Sequence, residues 1–226
     1  MTQTETVTRM SLEERVRPVL YINKIDRLIK ELRLTPEKMQ ETLAGVVANF
    51  NQLIDTYAED EYKEKWKVSI QDGSVTFGSA KDKWAINVDI MKKKGVTFND
   101  VIDAYSDSGK VEDLVEKAPL AEGVLGMVVK HHPPPHVAQK YRIPKIWKGD
   151  LESDTGKALL ACDDNGPTIM MCVNMTIDPA AGPVAIGRLF SGKIKDGQTI
   201  NIIDTNREGR VQSVNFFMSN VREQVG

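Results

Sequence analysis

The pattern of hydrophobic and polar positions changes at about residue 166 of this chain. Before that point most apolar residues recur every three or four positions, which predicts amphipathic helices. After it the pattern is typical of strands, and strands this close together without an intervening helix predict an antiparallel barrel or sandwich. Predicted strands cover 168–177, 183–194, 198–204 and 210–218, with hairpin turns at Asp196-Gly197 and 206–209.

Two helices are predicted early in the chain. The first covers residues 1–17, with Val7, Met10 or Leu12, and Val16 facing inward. The second begins at Thr35-Pro36, which supplies an N-cap and a first-turn proline. Its spacing can form a coiled-coil seam, but over so few turns it favours one helix packed on its own domain. The apolar positions of this second helix are Met39, Leu43, Val46, Phe50, Leu53 and Tyr57.

Prolines 133 to 135 are predicted to end a helix and to begin a stiff linker. We therefore predict three regions: a first domain over 1–132, a linker over 133–165 and a β domain over 166–226. Residues 137–150 mix basic and aromatic side chains, a composition that fits either RNA contact or packing between domains. The three nearby histidines do not predict a metal site, because neither a carboxylate nor a cysteine joins them.

Composition narrows the class of protein. With 226 residues, 41% of them hydrophobic, the chain can bury an ordinary core and is expected to hold more than one domain. A net charge of -2 gives no general attraction to nucleic acid or membrane. Cys162 and Cys172 fit neither a disulfide framework nor a metal site. We expect a cytoplasmic protein that does not associate with membranes, because no apolar run reaches the roughly 18 residues of a membrane span.

A short apolar run, Val19 to Ile22, leads directly into Asn23-Lys24-Ile25-Asp26. In open α/β sheets ligands bind outside the carboxyl ends of the strands. On a loop that reaches solvent, Asp26 offers two acceptor oxygens to the N1–H and N2–H donors of guanine, which adenine lacks. Asn23 can donate and accept at the other edge of the base, and the stem of Lys24 can lie on the ring. The sequence predicts a guanine site, with a simple polar cap between strand and helix as the alternative.

A second β-prone run, Ser74 to Gly78, ends in Ser79-Ala80-Lys81. N-K-x-D after an apolar strand resembles the guanine-specificity motif of GTP-binding proteins. The Ser79-Ala80-Lys81 stretch resembles the last base-contacting loop of those proteins, in which backbone N–H groups meet the guanine O6. The resemblance makes Asn23, Lys24, Asp26, Ser79, Ala80 and Lys81 the expected guanine-binding residues, with an insertion over about 27–73 between the two loops.

Longer matches identify a narrower family. The chain resembles an internal part of the archaeal and eukaryotic type of translation elongation factor 2, the ribosomal translocases that correspond to bacterial elongation factor G. The stretches that carry the resemblance are R-V-R-P-V-L-Y-I-N-K-I-D-R-L-I, F-G-S-A, A-Q-K-Y-R-I-P-K-I-W-K-G-D and D-P-A-A-G-P-V-A-I-G-R-L-F-S-G-K-I-K-D-G. Gly187 to Gly192 in the last of these resembles the barrel signature of translational GTPases.

This resemblance implies a fold and a function. The fold is the C-terminal half of a P-loop GTPase G domain with a helical insertion, followed by a truncated antiparallel β-barrel, domain II of translational GTPases. The function is GTP hydrolysis that drives ribosomal translocation of tRNA and mRNA. The implied ligands and partners are GTP, GDP, ribosomal RNA and ribosomal proteins, with Mg²⁺ held by residues outside this chain.

Two motifs of a complete GTPase are missing from the sequence. Gly156-Lys157 lacks the earlier glycine of G-x-x-x-x-G-K-S/T, and Asp163 to Gly166 is a turn rather than the magnesium-linked D-x-x-G. We therefore expect an internal or truncated piece that is inactive alone and carries no catalytic or metal-binding residue. The alternatives are another translational or ribosome-assembly GTPase, or an RNA-binding scaffold that keeps a G-domain remnant.

Overall fold

The computed structural model describes residues 2–106, 109–179, 182–218 and 221–224. The chain divides into two compact units, Met1–Pro134 and Pro135–Gly226. In chain order the elements of the first unit are α1 Thr2–Glu13, β1 Leu20–Ile22, α2 Ile25–Lys30, α3 Pro36–Tyr57, α4 Asp60–Trp66, β2 Val75–Ser79, β3 Trp84–Ile86, α5 Val88–Lys94, α6 Phe98–Ala104, α7 Val111–Lys117 and α8 Leu120–His131.

The first unit is built around a three-stranded sheet in the order β1-β2-β3. Strands β1 and β2 are parallel, with Leu20 opposite Val75 and Ile22 opposite Phe77. Strand β3 runs antiparallel to β2, with Trp84 opposite Ser79. Because parallel strands end at the same edge of a sheet, the segments that follow β1 and β2 lie side by side.

Helix α8 covers the sheet through its buried face, which includes Met127 and His131. Strands β2 and β3 are buried along their whole length. The close approach of α8 requires Gly123, since a Cβ there would lie 2.8 Å from the Cβ of Ala85. The buried Asn87 amide donates to the Gly123 carbonyl and to the Thr76 hydroxyl, so the helix and the sheet are also joined by hydrogen bonds.

The longest element of the insertion is helix α3, which packs against α1 and α4. Thr35 accepts a hydrogen bond from the Lys38 amide, and Pro36 is the first helical residue, as predicted. The single packed helix is confirmed, although Val46 is 37% exposed and Ile54 takes the deepest position near the C-terminal end. The buried residues of α3 are Met39, Leu43, Phe50 and Ile54.

The prediction for the first helix is partly wrong. Helix α1 ends at Glu13 rather than at residue 17, and Val7 and Met10 are 63% and 58% exposed, while Leu12 is buried. The helix ends where Arg15 enters the left-handed region at φ 53° and its N–H donates to the Leu12 carbonyl. The Arg15 guanidinium then binds Glu59 at 2.7 Å, which fixes the end of α1 to the turn before α4.

In the second unit the elements are α9 Pro135–Ile146, α10 Asp154–Ala161, β4 Ile169–Asp178, β5 Gly182–Ser191, β6 Thr199–Ile202, β7 Arg207–Arg210, β8 Asn215–Met218 and β9 Val221–Gln224. A β domain after an α/β domain is confirmed. Within the described residues the strands form three separate antiparallel pairs, β4-β5, β6-β7 and β8-β9, so the predicted barrel is represented there only by its hairpins.

The expectation of a stiff extended linker over 133–165 is wrong, because helices α9 and α10 occupy most of this segment. Pro135 begins α9 rather than holding the chain extended, because proline fits the first turn of a helix. Helices α9 and α10 pack on β5 through a cluster of Ile143, Leu159 and Phe190. The buried Gln139 amide donates to the carbonyls of Leu159 and Phe190 and joins all three elements. The predicted domain limits themselves stay a prediction.

The predicted turns in the β region are also displaced. Asp196-Gly197 does not close a hairpin, because β5 and β6 on either side of it belong to different pairs. The Gly197 N–H donates instead to the Val211 carbonyl. The next turn lies at 203–206 rather than at 206–209, and Arg207 already belongs to β7.

Candidate functional site

The segments that follow β1 and β2 are joined by one side chain. The Asn23 Oδ1 atom accepts a hydrogen bond from the Ala80 N–H at 2.9 Å and another from the Lys24 N–H at 2.8 Å. The Tyr21 hydroxyl is 3.5 Å from the same oxygen. Asn23 therefore holds together the two loops that the sequence assigns to one site, although 57 positions separate it from Ala80.

The turn between β1 and α2 sets the position of Asp26. Lys24 adopts the left-handed conformation, with φ 67° and ψ 33°, and α2 begins at the next residue. This sharp turn buries Ile25 and places Asp26 in the first helical turn. The prediction that Asp26 lies on a solvent-reaching loop is wrong, because the residue is only 7% exposed.

The Asp26 carboxylate makes no hydrogen bond or ion pair with any residue that the structure describes. Within the same residues every completely buried side-chain oxygen or nitrogen has a partner, so the Asp26 oxygens must reach the molecular surface. A mostly buried carboxylate gains from donors that approach it there. Burial, and then the charge of Asp26, raise the pKa of Tyr21. Asp26 is therefore a ready acceptor for a ligand with paired N–H groups.

The second loop presents backbone rather than side chains. Ser79 is fully buried, and its hydroxyl accepts the Asp82 N–H at 3.1 Å. Ala80 and Lys81 are exposed. The Ala80 N–H is bonded to Asn23, while the Lys81 N–H donates to no group among the described residues. In this geometry the backbone N–H of Lys81 is free to donate to an acceptor such as the guanine O6.

Gly78 allows the second loop to lie close to its neighbours. A Cβ at this position would lie 2.4 Å from the Trp84 carbonyl oxygen and 2.9 Å from the Tyr21 hydroxyl. The contact with the Trp84 backbone is too short for any side chain to be tolerated, because that carbonyl belongs to the β2-β3 ladder and cannot move aside. The glycine of the F-G-S-A stretch is therefore explained by local sterics, because β3 on one side and Tyr21 on the other approach the backbone of β2.

The structure adds three residues to this region that the sequence did not single out. Tyr105, at the end of α6, contacts Trp84 and Asp82 through its hydroxyl. Asp82 directly follows Lys81, so its position was available from the sequence. Tyr105 is 23 positions from Asp82, and no local pattern marks it. Burial, and then the hydrogen bond to Asp82, raise the pKa of Tyr105.

The described residues show neither a metal-binding cluster nor a membrane-spanning helix. They contain no group of three His, Cys, Asp or Glu side chains that could hold a metal ion. The His131 ring lies in the core, where its Nε2 is 3.1 Å from the Asp72 carbonyl oxygen. Over the same parts of the chain no helix has both the length and the apolar character needed to cross a membrane.

Family models match both units. Residues 1–134 match the elongation factor Tu GTP binding domain, and residues 182–226 match elongation factor Tu domain 2. The first match alone covers more than half of the chain. The chain belongs to the family of elongation factor GTP-binding domains. The two matched regions occur in the order that the resemblance to elongation factor 2 implied.

Individual relatives narrow this family. The chain is 83% identical over 226 residues to elongation factor 2 of Cenarchaeum symbiosum, covering 100% of this chain and 31% of that protein. It is 53% identical over 225 residues to elongation factor 2 of Sulfurisphaera tokodaii, covering 99% of this chain and 30% of the relative. For elongation factor 2 of Sulfolobus acidocaldarius the identity is 50%, with the same coverage of 99% and 30%. The resemblance to elongation factor 2 is confirmed, and the chain spans about a third of the length of these relatives.

Proposed function

We propose that Asn23, Lys24, Asp26, Ser79, Ala80 and Lys81 bind the guanine base of GTP and GDP. The observation that carries the proposal is the Asp26 carboxylate, mostly buried and without a partner among the described residues, at the sheet edge where Asn23 joins the two loops. Its two oxygens suit the N1–H and N2–H of guanine, and the free Lys81 amide suits O6. Adenine offers neither set of groups in that arrangement.

The proposed parent activity follows from the relatives. We propose that the chain serves in a translation elongation factor in which GTP hydrolysis drives ribosomal translocation of tRNA and mRNA. The proposal is supported by the 83% identity to an elongation factor 2 over the whole chain. In such a protein the present residues recognise the base, while the phosphates and Mg²⁺ need ligands that this sequence does not contain. The ribosome as partner and the cytoplasm as location belong to the same proposal.

Residues 137–150 use one of their aromatic side chains in packing. Trp147 packs partly buried against the cluster of Ile143, Leu159 and Phe190, so the aromatic ring is used in the interior of the second unit. The packing leaves less of this ring for a base to stack on. This packing lies within the second unit, so RNA contact and packing between domains both stay predictions for this stretch.

The guanine assignment can be tested on the 226-residue chain by NMR. We expect millimolar additions of guanosine 5′-monophosphate to shift the backbone amides of Ala80 and Lys81 and the side-chain amide of Asn23. Adenosine 5′-monophosphate should leave these resonances in place. The Asn51 side-chain amide, which binds Val68 in the insertion, is the internal reference. Equal shifts with both nucleotides, or shifts confined to other residues, would show that the guanine assignment is wrong.

A further inference from the structure

A chain of hydrogen bonds lies directly behind the second base loop. The Trp84 indole Nε1–H donates to the Tyr105 hydroxyl at 2.7 Å, and that hydroxyl donates to Asp82 Oδ2 at 2.6 Å. Trp84 is completely buried and lies opposite Ser79 in the β2-β3 ladder. The Asp82 side chain is only 17% exposed. This Trp84–Tyr105–Asp82 chain therefore connects the buried sheet to the residue that follows Lys81.

The Trp84–Tyr105–Asp82 chain of hydrogen bonds contacts both base loops. On one side, the Asp82 N–H donates to the Ser79 hydroxyl, so Asp82 closes the turn that contains Ala80 and Lys81. On the other side, Lys30 Nζ lies 4.6 Å from the centre of the Tyr105 ring and 3.9 Å from Asp82 Oδ2. Lys30 is the last residue of α2, the helix that carries Asp26. Tyr105 is thus in contact with both elements that face the proposed base.

The chemistry of the three groups fixes the direction of the hydrogen bonds. An indole N–H can only donate and an ionised carboxylate can only accept, so the tyrosine hydroxyl must accept from Trp84 and donate to Asp82. Burial and the Asp82 carboxylate keep this hydroxyl protonated well above neutral pH, by raising its pKa. The hydrogen bond from the Tyr105 hydroxyl holds the Asp82 carboxylate in one position. Contact with the Tyr105 ring alone would allow several positions of that carboxylate.

The hydroxyl has no role in the packing of the ring. The Tyr105 and Trp84 ring centres lie 6.3 Å apart with their planes tilted by 55°, a contact that phenylalanine would keep. The hydroxyl instead makes two hydrogen bonds, to Asp82 directly after the second base loop and to Trp84 in β3. A position that only filled the core would not need them.

We propose that Tyr105 is a positioning residue for guanine, whose hydroxyl holds Asp82 so that the Ser79–Lys81 loop directs the free Lys81 N–H at the O6 of the base. This inference rests on the guanine site proposed above. Tyr105 does not touch the base itself. Its effect should therefore be confined to the part of recognition that involves O6, and it should leave the contact of Asp26 with the 2-amino group unchanged.

The test uses three 5′-monophosphates titrated by NMR into the 226-residue chain. Inosine monophosphate lacks the 2-amino group, and 2-aminopurine riboside monophosphate lacks O6 and the N1–H. In Tyr105→Phe we expect the preference for guanine over 2-aminopurine to narrow by about 3- to 10-fold, the equivalent of one lost hydrogen bond. The preference for guanine over inosine should not change. The indole N–H resonance of Trp84 should also shift in this variant, while those of Trp66 and Trp147 stay in place.

Tyr57→Phe is the matched control. It removes a hydroxyl in the insertion that donates to Glu5 of α1 at 2.7 Å. The preferences for guanine over 2-aminopurine and over inosine should therefore both stay as in the wild type. Asp82→Ala removes the acceptor of the same chain and should give the same selective narrowing, which decides the matter if Tyr105→Phe does not fold. Unchanged preferences, or an equal loss of both, would overturn the positioning role. A wild type without any preference for guanine would overturn the proposed function and this inference with it.

Discussion

The hydrogen bond between Asn23 and Ala80 gives a quantitative prediction. Asn23→Ala removes the acceptor of two backbone amides, those of Lys24 and Ala80. Each neutral hydrogen bond contributes about 0.5 to 1.5 kcal/mol net, and water can replace the acceptor at an exposed site, so we expect a loss of about 1.4 kcal/mol in local stability. Since that free energy corresponds to a factor of about ten, the protection of the Ala80 amide from hydrogen exchange should fall roughly tenfold.

Hydrogen exchange followed by NMR measures this effect residue by residue. Asn51→Ala is the matched control, because the Asn51 amide also holds a distant backbone segment, accepting the Val68 N–H at 2.8 Å and donating to the Val68 carbonyl at 2.9 Å. It should lower the protection of Val68 and leave Ala80 unaffected. If Ala80 exchanged at the wild-type rate in Asn23→Ala, Asn23 would not hold the two loops together.

Three further outcomes are expected. The 226-residue chain should release phosphate from GTP at the rate of buffer alone, since the sequence has neither a G-x-x-x-x-G-K-S/T loop nor a magnesium-linked D-x-x-G; turnover that survives repurification would contradict this. Gln139→Leu should destabilise the second unit by about 2 to 4 kcal/mol in urea unfolding, because it leaves the Leu159 and Phe190 carbonyls buried without donors. Burial and the charge of Arg17 lower the pKa of His132 in the folded chain. The unfolded chain therefore binds a proton at this imidazole more readily than the folded chain does, so the free energy of unfolding should fall as the pH drops below about 6.5. His132→Gln should show a smaller drop in urea midpoint between pH 7 and pH 5.5, and an identical drop would exclude this histidine.

Local sequence predicted the site because its residues follow strands directly. Val19 to Ile22 and Ser74 to Gly78 could each be identified as strands, and the resemblance to the base-contacting loops of GTP-binding proteins then assigned the ends of both strands to one site. The burial of Asp26 was not predictable in the same way. It depends on the left-handed turn at Lys24, which starts α2 one residue before Asp26.

Features that depend on tertiary contacts could not be predicted from the sequence. Tyr105 reaches Asp82 through space, and its spacing along the chain carries no sign of this contact. Pro135 can stiffen a linker or begin a helix with equal local preference, and only the packing of α9 on α10 and β5 decides between them. The end of α1 was misjudged for a similar reason, since Arg15 leaves the helical conformation there and binds Glu59 on a distant turn.

The most direct test of the guanine site is the base preference of Asp26→Asn. The change replaces one acceptor oxygen with an NH₂ donor, which opposes the guanine N2–H but suits the 2-carbonyl of xanthine. Because a charge-assisted hydrogen bond contributes about 1.5 to 3 kcal/mol, guanosine monophosphate should bind at least about tenfold more weakly, and xanthosine monophosphate should become the preferred ligand.

Asp89→Asn, which alters a carboxylate paired with Lys130 elsewhere in the same unit, is the control and should keep the wild-type preference. The measurement is competitive NMR titration of the wild type and both variants with the guanosine and xanthosine monophosphates. A switch to xanthosine in Asp26→Asn alone is the result that we predict. An undiminished preference for guanosine in that variant would contradict the placement of the base between Asn23 and Lys81.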